Sequence, residues 1–477
     1  MNRQYLKCYL AGFLLLMPFL LSADVKLGSL FTDNMVLQQK SEVPVWGWAT
    51  AGKNIKVSTS WNGKSYSAKA DNSGKWLLKV ATPAAGGPFE LTISDGKAIK
   101  LKNVLIGEVW ICGGQSNMEV PLKGFKGQPI LGSNDAILKS KNQKIRVYTV
   151  PRSSVTELQQ NSKPSLWKVA DPKSTANFSA TGYFYGELLN EMLDVPIGLI
   201  NVSYSGSFVE AWMSPENLKQ FPEVKIPAKE DTIKAVSRTP TTLYNGMLAP
   251  IAGYGIKGAI FYQGESNYER PDRYEEMFPA MVKEWRSLWK QGDFPFYYVQ
   301  IAPYNYAQLP PFNHGGKFNS AYLRDAQRKS LTKIPNSAMA VVMDVGEENM
   351  IHPANKEVVG KRLALLSLAD TYGLKGFGSE SPLYKSLAIN GSVATVSFDN
   401  AANGLTSFSK ELNTFEIAGA NKIFYPAKAS INGSSVAVSS PMVKEPVAVR
   451  YAFKDFVVGD LFNTEGLPAS SFRTDDW

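Results

Sequence analysis

The sequence predicts an α/β fold, a mostly parallel sheet with helices on both faces, flanked by N- and C-terminal β-sandwich modules. Three observations carry that reading. Apolar strand runs alternate with helix-period segments through the middle of the 477 residues. From Asp24 to Lys102 short alternating runs such as "VPVWGWA", "IKVSTSW" and "KWLLKV" are separated by Asn-Gly and Gly-Gly turns. From about Ser386 that turn-rich β-texture returns in "LAINGSVATVSFDNA" and "VAVRYAF". The expected parts are a leader at 1–23, a β-module at 24–102, a central α/β domain at 103–385 and a second β-module at 386–477.

The leader is read from Arg3 and Lys7 followed by "CYLAGFLLLMPFLLSA" and the small-residue exit Leu21-Ser22-Ala23, the pattern of a secretory signal peptide. A membrane anchor would need about 20 unbroken apolar residues, and Pro18 interrupts this run, so no membrane span is expected after cleavage. Cys8 leaves with the leader and Cys112 stays alone, which excludes an intrachain disulfide in the mature chain. A secreted protein without disulfides suits a bacterial periplasm or surface. The formal charge of +9 falls to +7 without Arg3 and Lys7. Because the Lys and Arg are scattered without a block, the charge reads as solubility and no nucleic-acid partner is expected. With 2 His in the chain and one remaining Cys, a His/Cys zinc site is excluded.

In the central domain the expected strands are Val104–Cys112, Ile197–Ser203, Lys257–Tyr262, Phe296–Ile301 and Ala338–Met343. The expected helices are Gly182–Leu193, Asp272–Trp289 and Ser320–Lys333. In the second helix Tyr274, Met277, Phe278, Met281, Trp285 and Leu288 recur at helical spacing and form a core-facing stripe. In such a sheet the active edge lies at the carboxyl ends of the strands.

At that edge the stretch Gly107–Met118, "GEVWICGGQSNM", runs from a buried strand through Gly113 and Gly114 to Ser116. A strand ending in Gly-Gly and a serine is a way to expose a nucleophile. Its base must be His314 or His352. His314 lies in the loop "LPPFNHGGKFN", whereas His352 follows the last sheet strand in "MDVGEENMIHPANKEVVGKRLALL", where catalytic groups converge; His352 is favoured. Two more strand ends carry donors for a developing oxyanion: Gly206 in "NVSYSGSFVEAW", and Gln263 and Asn267 in "AIFYQGESN". Gln263 is preferred to Asn267 because it directly follows its strand. A paired-carboxylate glycosidase using Glu265 and Asp344 would leave the Gly-Gly-Gln-Ser turn without a purpose.

The motifs "GGQSNM", "YSGSFVEAW", "FYQGESN", "IHPANKEVVGKRLAL" and "GLPASSFRTDDW" together resemble the bacterial sialate O-acetylesterase family, an SGNH-type group of serine esterases. The resemblance covers nearly the whole mature chain. It implies an SGNH/flavodoxin-like sheet and removal of acetyl groups from sugar hydroxyls, on 9-O-acetyl sialic acids or on acetylated xylan and other plant polysaccharides. It also implies Ser116 as nucleophile, His352 as base, and an oxyanion hole from the Ser116 and Gly206 N–H groups with an amide of Gln263 or Asn267. The partner is an acetylated sugar, and no metal or organic cofactor is called for. Where many SGNH hydrolases carry an aspartate three residues before the histidine, this chain has Asn349, so the group orienting His352 is open among Asn349, a backbone carbonyl, Asp344, Glu347 and Glu348. Trp212, Tyr268, Arg270, Tyr304 and Asn305 form a polar and aromatic mixture suited to a sugar, and Arg270, Arg273 and Arg324 are candidates for the acid of a sialic acid. The rival from another class is a catalytically inactive carbohydrate-binding surface protein.

Overall fold

The computed structural model describes residues 25–309 and 319–477; the expected leader and His314 lie outside the described residues. Seven strands build the central sheet: β1 (Ala98–Gly114), β2 (Asn142–Thr149), β3 (Lys168–Ala170), β4 (Ile197–Ser203), β5 (Gly258–Tyr262), β6 (Phe296–Val299) and β7 (Ser337–Ala340). Their spatial order is β3-β2-β4-β1-β5-β6-β7. All neighbours are parallel except β3, which runs antiparallel to β2 at the edge. β2 and β3 are absent from the sequence reading. β2 carries only a short buried run, Ile145–Tyr148, after the charged "NQK", and β3 is three residues long, so neither announces itself by period.

β1 sits centrally, with β4 on one side and β5 on the other, so the chain crosses over β1 between them. The crevice at the carboxyl end of β1 is therefore the topological switch point of the sheet. Alternate residues of β1 serve different cores: Val109 and Ile111 face one, Trp110 and Cys112 the other. Helices α2 (Ala180–Leu193) and α5 (Lys356–Leu366) cover the second face, packing on each other and on the sheet. Helices α3 (Pro271–Trp289) and α4 (Ala321–Ser330) pack together on the first.

The α3 stripe is buried as its spacing requires, with Tyr274, Met277, Phe278, Met281 and Trp285 all inside. Phe278 stacks on Phe261 of β5 at 5.8 Å, and Trp285 meets the same ring edge-on at 5.7 Å. Each such burial contributes about 2–3 kcal/mol, which makes β5 a rigid base for the loop that follows it.

β1 runs unbroken through position 102, the expected end of the N-terminal module. Its first half pairs antiparallel with Gly86–Ser94, while Asn54–Thr59 and Ser65–Lys69 extend that sheet. Three further strands, Lys26–Leu27, Glu42–Trp48 and Lys75–Ala81, form the opposing sheet. Val45, Ile55, Val57, Val80, Leu91 and Ile93 lie between them in the core. The C-terminal part holds two four-stranded antiparallel sheets, one begun by Leu383–Asn390 and Val393–Asp399, the other centred on Phe415–Ala418 and Ala448–Tyr451. Arg324 of α4 fastens it to the sheet domain by donating to Ser471 Oγ and to the carbonyls of Ala452, Lys454 and Asp455. Among the described residues no helix is long and apolar enough to cross a membrane.

Candidate active site

The turn after β1 is set by its glycines. Gly114 has φ +136°, and a Cβ there would lie 2.1 Å from the Tyr262 carbonyl of β5. Only glycine permits both the conformation and the approach. Gln115 N donates to Tyr262 O (2.9 Å) and Tyr204 N to Gly114 O (3.0 Å), so the turn is stitched to both neighbouring strands. Ser116 then opens a short helix, α1 (Ser116–Glu119). Among the described residues neither the Ser116 N–H nor the Gly206 N–H has a protein acceptor. Gly206 stands at φ +71° in a loop that is pinned to α1, because Ser205 N donates to Glu119 Oε2 (2.7 Å). Arg152 holds the same carboxylate through two bonds of 2.7 and 2.6 Å.

His352 is brought to this turn by a contact between the flanking residues. Asn117 Nδ2 donates to Ile351 O at 3.0 Å, joining the residue after Ser116 to the residue before His352. The imidazole meets Phe125 edge-on at 5.7 Å, and its Nδ1–H donates to Gln128 Oε1 at 2.6 Å. With the proton on Nδ1, the lone pair is on Nε2, the tautomer a general base requires. Burial, and then the charge of Lys356, push the imidazole down to about 4, so it is neutral throughout the physiological range.

None of the side chains expected to orient His352 does so. Asn349 is exposed and accepts from Gln308 Nε2 (2.7 Å). Asp344 is held by Arg362 in a bidentate pair of 2.6 Å bonds. Glu347 accepts from Ala354 N (2.7 Å), and Glu348 is exposed. The orienting partner is Gln128, a residue the sequence reading missed.

The loop after β5 uses the two amides differently. Val209 N donates to Asn267 Oδ1 (3.0 Å), and Asn267 Nδ2 donates to Glu210 Oε2 (2.9 Å), which fixes the Asn267 amide. Gln263 Nε2 then donates to Ser207 O (3.0 Å) and to Asn267 Oδ1 (2.7 Å), so both its N–H groups are used. Gln263 is a buttress, whereas Asn267 keeps one N–H without a partner among the described residues. Proximity to the strand end does not mark the amide with a spare N–H, because the nearer residue spends both of its own on Ser207 O and Asn267 Oδ1.

Other expected contacts divide in the same way. Trp212 is fully buried with its Nε1 on Ser207 Oγ (2.9 Å), and Arg324 is fully buried in the C-terminal junction, so neither meets a sugar. Tyr268, Tyr304 and Tyr306 pack ring against ring, with centroids 4.6 and 5.2 Å apart. Arg273 is exposed and paired with Glu223 and Glu276. Arg270 donates through Nη1 to Glu210 Oε1 (2.6 Å) and lies 4.8 Å from the Phe208 ring, and its buried Nη2 has no partner among the described residues. Glu265 is buried on Asn117 and Asp344 is locked on Arg362, which removes the glycosidase pairing. The arrangement brings together the Ser116 turn, the His352 loop and backbone N–H groups without protein acceptors among the described residues, the residue types that acyl transfer uses.

Comparison with known proteins places the chain among carbohydrate esterases. The family model for "Carbohydrate esterase, sialic acid-specific acetylesterase" matches residues 106–368. The chain is 28% identical over 423 residues to sialate O-acetylesterase of Mus musculus, covering 75% of this chain and 76% of that protein. It is 29% identical over 407 residues to the Homo sapiens sialate O-acetylesterase, with 77% and 76% covered. Among solved structures, a carbohydrate acetylesterase from Xanthomonas citri matches with a TM-score of 0.86 at 35% identity, covering 95% of this chain and 100% of that one.

Proposed function

The chain belongs to the sialic acid-specific acetylesterase family of carbohydrate esterases and is an ester hydrolase, and from that premise we propose that it removes acetyl groups from sugar hydroxyls through a Ser116–His352 acyl-enzyme. The observation that carries this reading is the join of the two loops, Asn117 Nδ2 to Ile351 O, with His352 Nδ1–H turned to Gln128 and Nε2 left as acceptor.

In the first step Ser116 Oγ attacks the acetyl carbonyl as its proton passes to His352 Nε2. The tetrahedral oxyanion draws on the Ser116 and Gly206 N–H groups and on Asn267 Nδ2. Collapse expels the sugar oxygen, which takes the proton from His352. Water then attacks the acetyl-enzyme with the same imidazole as base, and acetate leaves as Ser116 recovers its proton. The neutral imidazole is the form this cycle starts from.

The substrate favoured is a 9-O-acetyl sialic acid. Support comes from the family model, described as sialic acid-specific, and from the mouse and human relatives, which are sialate O-acetylesterases. Acetylated plant polysaccharide is the second reading, since the Xanthomonas citri relative is described only as a carbohydrate acetylesterase. The protein is proposed to work in a bacterial periplasm or outside the cell, on the leader pattern at 1–23. Acetate release by the purified protein from 9-O-acetyl sialic acid and from acetylated xylan, measured side by side, tests the substrate. Faster turnover of the sialic acid is expected, and release from xylan alone would overturn the sialate reading.

A further inference from the structure

We propose that Asn117, Lys356 and Glu265 form a positioning truss that sets the backbone on both sides of His352 against the Ser116 turn, while Gln128 fixes the ring. The inference rests on the Ser116–His352 reading above. Asn117 is the hub. Its Nδ2 donates to Glu265 Oε1 (2.5 Å) and to Ile351 O (3.0 Å), and its Oδ1 accepts from Lys356 Nζ (2.7 Å). Lys356 Nζ donates in turn to Pro353 O (2.6 Å). The backbone is therefore gripped on both sides of His352, at Ile351 and at Pro353, from the side chain that follows Ser116. Glu265 ties the same hub to the loop after β5, where Asn267 sits.

The location argues against a purely structural purpose. Asn117 and Lys356 are fully buried and Glu265 is 2% exposed. Lys356 is the first residue of α5, where the helix dipole disfavours a cation. Burying a lysine and a glutamate costs free energy that apolar side chains of the same volume would not. A costly cluster at the one point where nucleophile loop, base loop and oxyanion loop meet is explained by the geometry it fixes.

Lys356 has a second effect through its charge. The groups facing it and His352 are Glu265 from the β5 loop, Glu347 from the loop preceding His352, and the Tyr262 ring 5.9 Å from Nζ. Gln128 and Phe125, on the other side of the imidazole, are neutral. Burial pulls Lys356 down to about 7, against Glu265 and Glu347. It is thus a cation wherever His352 titrates, and it disfavours the imidazolium.

The test is the acid limb of the kcat/KM profile, which reports the base of the free enzyme. Lys356→Met removes the cation, so the limb should move up by about one pH unit, about tenfold in proton affinity. Its kcat should fall on the order of 10²-fold, as for a displaced catalytic group, with KM nearly unchanged. Asn117→Ala removes the hub without altering any charge, so kcat should fall comparably while the limb stays in place. Should Lys356→Met not fold, Lys356→Gln keeps a donor for Asn117 Oδ1 without the charge, and the same upward limb shift is expected. A limb unmoved in the folded Lys356 variant, or wild-type kcat in Asn117→Ala, overturns the truss. Ser116→Ala run in parallel separates the two levels: activity surviving there overturns the dyad itself, whereas an inactive Ser116→Ala with an unmoved limb overturns only the truss.

Discussion

A histidine held by a neutral amide is a different base from one held by a carboxylate. Gln128 gives Nδ1–H an acceptor and fixes the tautomer, but adds no negative charge to favour the imidazolium. Burial and Lys356 then hold the ring at about 4. Since the base works only when neutral, kcat/KM should stay level as pH falls through 6 and decline only near 4. Gln128→Glu places an anion on the same nitrogen, and its acid limb should rise by a unit or more; a pH–rate profile of the two proteins checks this. The amides make an equally specific contrast. Asn267→Ala should lower kcat on the order of 10²- to 10³-fold with KM nearly constant, the usual loss for an oxyanion donor. Gln263→Ala should act on kcat only through a loosened Asn267 and so cost much less. Steady-state kinetics of both variants distinguishes donor from buttress, and the reverse ranking would return Gln263 to the role.

At the scale of elements, the turn after β1 depends on Gly114. Gly114→Ala would combine a φ of +136° with a Cβ 2.1 Å from the Tyr262 carbonyl. Strain and overpacking together should cost about 2–4 kcal/mol, read as a lower melting temperature by about 5 °C or more, with activity lost beyond what the stability change explains. This turn was legible in the sequence because strand, glycines and serine are adjacent in the chain. The same holds for Ile197–Ser203, a short and mostly apolar run, and for α3, whose helical period is long and regular. What sequence left dark depends on distant contacts. Gln128 lies 224 residues from His352, and in "GFKGQP" it reads as part of a turn. Lys356 reads as surface because lysine is almost never buried. Trp212 and Arg324 were misplaced because residue type alone does not tell a lining side chain from a core one.

For the whole molecule, the central sheet is braced from both ends. β1 is shared with the N-terminal module, and the C-terminal module is bolted on through Arg324. That guanidinium is fully buried, and its acceptors are the carbonyls of Ala452, Lys454 and Asp455. Arg324→Met should leave these unpaired and cost about 3 kcal/mol or more. Limited proteolysis should then cut first within 373–382, the connection between the two parts, while the wild type resists. Family membership extends over the sheet domain, residues 106–368, and the modules lie outside that match at both ends. The proposed chemistry lies within that match, at the serine where β1 ends. The direct measurement is active-site labelling with a fluorophosphonate, followed by peptide mapping of the purified protein. The account predicts a single phosphonyl adduct on Ser116, complete loss of acetate release on labelling, and no adduct in Ser116→Ala. An adduct on another serine, or acetate release that survives in Ser116→Ala, would contradict it.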